Sequence, residues 1–226
     1  MTQKIPPALD WNSIDIVMLD MDGTLLDKHF DDYFWEEHVP EVYAQKNHLN
    51  FWDAYDVLMA KYKSREKTLE WTDIDFWSKE LGLDLANMKE KMNHLIQVHP
   101  FVLPFLDFCK VLGKQIHLVT NAHSKTLAIK MAKTDIESHF DHIICSEQIG
   151  IPKEQPKFWQ KLQAVTGFQK DRVLLADDNE AVLDSAASFG IKNLIFVAKS
   201  SSTKPIAYSP QYPSIVFFKE LMDNNT

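Results

Sequence analysis

Two carboxylates one residue apart, Asp20 and Asp22, stand directly after the apolar run Ile16-Val17-Met18-Leu19 and just before Gly23-Thr24. A short buried strand that ends this way delivers acidic side chains to the crevice edge of an open α/β sheet, where ligands of such folds bind. Further along, Thr120-Asn121 follows Ile116–Val119, Lys153 lies in the loop after a run ending near Cys145, and Asp177-Asp178 follows Val173–Ala176. In a parallel sheet these carboxyl ends share one edge, so residues scattered along the chain are expected to meet there.

For a phosphate monoester each type has a chemical use. Asp20 is placed to attack phosphorus and form an aspartyl phosphate, dividing one displacement into two easier ones. Asp22 is placed to protonate the leaving oxygen and then to take a proton from the attacking water. Magnesium, held by the Asp20 and Asp178 carboxylates and the backbone carbonyl of Asp22, would offset repulsion between nucleophile and phosphate. Thr120 and Asn121 are the candidate phosphate-binding residues, and the Lys153 ammonium is the candidate partner for charge on Asp20 and the transferring group. That role is electrostatic and local, so Lys153→Ala is expected to lower activity without unfolding the protein.

The elements that position these groups are legible as two textures. Residues 14–26 and about 101–198 alternate short apolar runs (Ile16–Leu19, Ile116–Val119, His142–Cys145, Val173–Ala176, Leu194–Val197) with helical periodicity, the pattern of βαβ units on a mainly parallel, Rossmann-like sheet. Gly113, Gly167 and Gly190 fall where helix C-caps favour glycine. Between Asp27 and Pro100 the β-type runs vanish and apolar residues recur at helical spacing, as in Phe51, Tyr55, Leu58, Tyr62 and in Trp71, Ile74, Trp77, Leu81. The expected organisation is a catalytic core of residues 1–26 plus 101–226, with residues 27–100 a helical cap hinged at its two crossings. Residues 200–213 read as a surface loop and 223–226 as a frayed tail.

The motifs Asp20-Met21-Asp22-Gly23-Thr24, Val119-Thr120-Asn121, Pro152-Lys153-Glu154-Gln155-Pro156 and Leu175-Ala176-Asp177-Asp178-Asn179 occur in the order of the four motifs of the haloacid dehalogenase superfamily of phosphatases, which the whole chain resembles. The resemblance implies the nucleophile at Asp20, the acid–base group at Asp22, the phosphate-binding threonine at Thr120, the motif lysine at Lys153 and the distal metal-binding acid at Asp178. It also implies that the insertion is the helical cap of the first type. Asp20–Asp27 followed by Phe30-Asp31-Asp32-Tyr33-Phe34-Trp35, with Thr120-Asn121-Ala122-His123 later, is similar to the bacterial GMP/IMP 5′-nucleotidase branch. Two departures stand out. Glu154 follows Lys153 where proline is common, and Val182 sits four residues after Asp178 where an acid is common, which leaves open whether Asp177 supplies the missing carboxylate.

The chain has 226 residues, 45% of them hydrophobic, and a net charge of −8, which suits an enzyme with a full core and argues against a sequence-independent grip on nucleic acid. No apolar stretch approaches the ~20 residues of a membrane span. Cys109 and Cys145 lie in apolar contexts and read as reduced, buried thiols, and a cytoplasmic enzyme, monomeric or a small homo-oligomer, is expected. The expected substrate is a small phosphate monoester, a purine nucleoside 5′-monophosphate by the branch resemblance. The alternatives are another small phosphate such as a sugar phosphate or phosphoglycolate, a phosphomutase, or a receiver-like signalling domain that keeps its phosphoaspartate. The insertion and Asp22 count against the receiver, and Asp22 as an acid–base group counts against dehalogenation. The cap aromatics Tyr33, Phe34, Trp35, Phe51, Trp52, Trp71, Phe76 and Trp77 are able to stack a base, although their helical spacing favours packing for any one of them. His29 and His123, near the motif loops, are assigned no catalytic role.

Overall fold

In the computed structural model, which describes residues 3–222, six strands form one parallel sheet in the order β3-β2-β1-β4-β5-β6. They are β1 (Ile16–Leu19), β2 (Gln115–Thr120), β3 (His142–Cys145), β4 (Val173–Asp177), β5 (Asn193–Val197) and β6 (Ser214–Ile215). The frayed tail expected at residues 223–226 lies outside the described residues. Strand order reverses at β1, whose neighbours are β2 and β4, so Asp20 emerges at the topological switch point.

Both faces of the sheet are covered, which is why β1 is apolar at every position and not alternating. Ile16 and Met18 point into a cluster with Val119, Val173 and Leu175 under α9 (Pro156–Thr166) and α10 (Glu180–Phe189). Val17 and Leu19 point the other way, to Ile116, Leu118, Leu174 and Ala176 under α6 (Val102–Val111). Cys109 and Cys145 are free and buried, and burial raises their thiols to about 12 and about 11.

The inserted segment carries only helices: α1 (His29–Tyr33), a π-helical turn at Phe34–His38, α2 (Val39–Asn47), α3 (Phe51–Lys63), α4 (Ile74–Leu81) and α5 (Leu85–Lys91). Its two crossings run side by side. Asp27 N donates to Gln97 O at 2.9 Å, and His99 N donates to Leu25 O at 2.9 Å. Residues 200–213 form no regular element, yet they do more than skirt the surface. Ser200 O accepts from Lys28 N at 3.0 Å and from His99 Nε2 at 3.1 Å, so this loop ties both crossings to the core. Two short helices complete the core beside α7 (Ser124–Thr134): α8 (Ser146–Ile149) and α11 (Lys219–Met222).

Candidate active site

The loop after β1 closes on itself. Gly23 N donates to Leu26 O at 2.7 Å, and Leu25 and Leu26 return their amides to Met21 O at 3.0 and 2.8 Å. Gly23 sits at φ +88°, and a Cβ there would lie 2.2 Å from Asp178 Oδ2. Glycine is therefore required twice over, for the turn and for the close approach of Asp178 to the Asp20–Asp22 loop.

Asp20, Lys153, Asp177 and Asp178 converge at that edge. The Lys153 ammonium, 1% exposed, lies 2.5 Å from Asp20 Oδ1 and 2.7 Å from Asp177 Oδ2 and donates to Val119 O at 3.0 Å. Its loop is pinned from two sides: Asn121 Oδ1 accepts from Lys153 N at 3.0 Å, and Trp159 Nε1 donates to Lys153 O at 3.1 Å. Asn121 Nδ2 also donates to Glu154 Oε2 at 3.0 Å, so the residue that replaces the common proline anchors the same loop. Thr120 Oγ1 accepts from Ala122 N at 3.0 Å, which leaves its own O–H as a donor.

Carboxylate oxygens of Asp20, Asp177 and Asp178 lie within 4.8 Å of one another, a hard-oxygen set of the kind magnesium takes. Burial, then the charges of Asp20 and Asp177, push the Asp178 carboxyl well up; burial, opposed by Lys153, raises Asp20 to about 6. Such crowding of negative charge is what a bound divalent cation relieves. Asp177 is already occupied: Oδ2 faces Lys153, and Oδ1 accepts from Asn179 N at 2.9 Å.

Asp22 does not face this cluster through a hydrogen bond but pairs with Lys130, whose Nζ lies 2.6 Å from Asp22 Oδ1 and 2.5 Å from Asp31 Oδ2. Burial raises Asp22 to about 6, with Lys130 pulling the other way. Lys130 was missed in sequence because a lysine on a helix is usually solvated. A signal did exist: Lys130 is four residues after Thr126 on α7, a stripe the fold buries, and Lys89 is likewise four after buried Leu85 on α5.

A cavity of about 810 Å³ runs from Asp20 and Asp178 to the inserted helices, where Trp35, Met59, Tyr62, Trp71 and Trp77 line it. Of the aromatics singled out in sequence, Tyr33, Phe34, Phe51, Trp52 and Phe76 are not among its lining residues; Phe34 is wholly buried and Trp52 is exposed. Thr72 Oγ1 donates to Asn121 O at 2.6 Å, a direct tie from the insertion to the β2 loop. His123 caps α7 through Nδ1, which accepts from Lys125 N at 3.4 Å.

An aspartate at a switch point, followed two residues on by a second and paired with a buried lysine, fits a class of hydrolase, and the chain belongs to it. The haloacid dehalogenase-like hydrolase family matches residues 14–190. This protein is an enzyme of the phosphoric monoester hydrolase class. Among particular proteins, it is 37% identical over 212 residues to the GMP/IMP nucleotidase YrfG of Escherichia coli (strain K12), covering 94% of this chain and 96% of that one. It is 21% identical to the phosphorylated carbohydrates phosphatase of Thermotoga maritima, over 83% of this chain and 87% of that one. In fold it resembles the crystal structure of a phosphatase of the same superfamily from Thermococcus onnurineus, with a TM-score of 0.78 at 20% identity, over 93% of this chain and 97% of that one.

Proposed function

We propose that the enzyme hydrolyses purine nucleoside 5′-monophosphates, GMP and IMP, through an aspartyl phosphate on Asp20. The observation that carries this reading is the 37% identity to a GMP/IMP nucleotidase across nearly the full length of both chains, on a chain whose cavity joins Asp20 to an aromatic wall. An aromatic wall suits a purine, which gains by stacking.

The chain's residues divide the work as follows. Asp20 Oδ attacks phosphorus while the P–O bond to the nucleoside breaks, and Asp22 gives its proton to the departing 5′-oxygen. Water then attacks the phosphoaspartate, Asp22 takes its proton, and inorganic phosphate leaves. The Thr120 hydroxyl, with its O–H free, donates to a phosphoryl oxygen, and Lys153 neutralises charge on Asp20 and on the group in transfer. The Asn121 side chain is spent on the Lys153 loop, so its contribution to phosphate binding is by placing that loop. The Asp20 and Asp178 carboxylates and the Asp22 carbonyl would hold magnesium, which when bound would supply charge neutralisation and alignment. With Asp177 held by Lys153 and the Asn179 amide, its role is to fix the lysine. Residues 27–100 act as a cap over a core of residues 1–26 and 101–226, and close the leaving-group side against water.

Acid quench of the enzyme during turnover of phosphate-labelled substrate tests the chemistry. Acid-stable label on the protein, chased by unlabelled substrate and lost in Asp20→Asn, is the expected result; turnover retained by Asp20→Asn overturns the assignment.

A further inference from the structure

Four alternating charges run through the seam between the inserted helices and the core. Asp22 pairs with Lys130 at 2.6 Å, Lys130 with Asp31 at 2.5 Å, and Asp31 with Lys89 at 2.5 Å. Lys130 and Lys89 are 1% and 2% exposed, and the Phe30 ring lies beneath both ammonium groups, 5.4 and 4.9 Å from its centroid. Asp22 and Lys130 come from the core, on the β1 loop and α7; Asp31 and Lys89 come from the insertion, on α1 and α5. The Lys130–Asp31 pair therefore crosses the seam.

Stability alone gives little reason for this arrangement, since well-packed apolar residues commonly hold a buried seam as well as a buried ion pair does. What an apolar seam cannot do is orient a carboxylate. The geometry points to Lys130 as the positioning residue of Asp22, held in that role by Asp31 and Lys89, so that the leaving-group side of the site is assembled only when α1 and α5 sit against α7. Lys130 spans Asp22 and Asp31 with two of its three N–H donors, fixing its own direction and that of the carboxylate it serves. A substrate that requires proton delivery to its leaving oxygen depends on that orientation; one with a good leaving group does not. The inference rests on the acid–base reading of Asp22 but not on the choice of nucleotide.

The test compares kcat/KM for the best alkyl phosphate substrate of the wild-type enzyme with that for p-nitrophenyl phosphate, whose leaving group departs without protonation. Lys130→Met is expected to lose about 10²-fold on the alkyl ester and no more than about threefold on the aryl ester, with Lys130→Arg recovering part of the alkyl activity. Asp31→Asn should shift the alkyl-to-aryl ratio in the same direction. The double variant Lys130→Met/Asp31→Asn, which removes a cation and an anion together, serves if a single variant does not fold. Equal losses on both esters, or none on either, overturn the positioning role. If Asp22→Asn loses the ratio while the Lys130 variants keep it, the bridge alone fails; if Asp22→Asn keeps the ratio, the acid–base reading fails and the bridge with it.

Discussion

Lys153 shows what a single buried charge does in two capacities. Its ammonium faces Asp20 and Asp177 at 2.5 and 2.7 Å, and these two carboxylates, with the burial that opposes it, set its ionisation well above that of an ordinary lysine. The purely local role expected from sequence is therefore revised. Lys153→Ala leaves two buried carboxylates facing each other without a counter-charge, a loss of about 3 kcal/mol by comparison with other broken buried pairs. Denaturant melts of Lys153→Ala should show that destabilisation together with lost activity; an unchanged midpoint would restore the local reading. Asp20, Asp22 and Asp178 were visible in sequence because each stands at the end of an apolar run. The pairing of Lys130, Asp31 and Lys89 was not, since their partners are far away in sequence and the i, i+4 spacing that places both lysines on buried stripes names no partner.

The parallel strands were legible as elements because burial on both faces leaves unbroken apolar runs such as Val173–Ala176. Strand β6 escaped because it has two residues, and its pairing with Phe196 and Val197 is a long-range event with no periodicity to announce it. The helical character of the insertion was legible too, but its π-helical turn at Phe34–His38 was not, because local spacing does not separate it from an α-helix. Strand β2 carries one polar anomaly, His117, which is 1% exposed, stacks edge-to-face on His142 at 4.7 Å, and has no hydrogen-bond partner at either ring nitrogen among the described residues. Burial, then the nearby His142, lowers it to about 4. The folded state therefore holds this ring neutral, whereas the unfolded chain takes up a proton below its usual pKa of about 6.5. More protons bind the unfolded state between those values, so stability falls as pH drops from about 6.5 toward 4 and is level above. His117→Leu should be less sensitive than the wild type by about 1–2 kcal/mol between pH 7 and pH 5, measured by denaturant melts at both values. Equal sensitivity would mean the ring is protonated in the fold.

At the scale of the whole molecule, the net charge of −8 extends into the cavity, whose lining has ten carboxylates, among them Asp20, Asp22, Asp31 and Asp178, against five lysines, Lys28, Lys63, Lys67, Lys89 and Lys153. A phosphate dianion would thus enter a mouth richer in carboxylates than in ammonium groups, with aromatic rings behind it, where Lys153 and a bound cation would supply the positive charge it needs. No helix among the described residues is long and apolar enough to cross a membrane. Which aromatics line the cavity depends on how the insertion folds over the core: Trp35 and Trp71 do and Trp52 does not, although all three sit in similar local sequence. The most direct measurement is phosphate release from a panel of nucleoside 5′-monophosphates and sugar phosphates, with magnesium and with chelator. Magnesium-dependent release with the highest kcat/KM for IMP or GMP is the predicted result; turnover that favours sugar phosphates, or that persists unchanged in chelator, would contradict it.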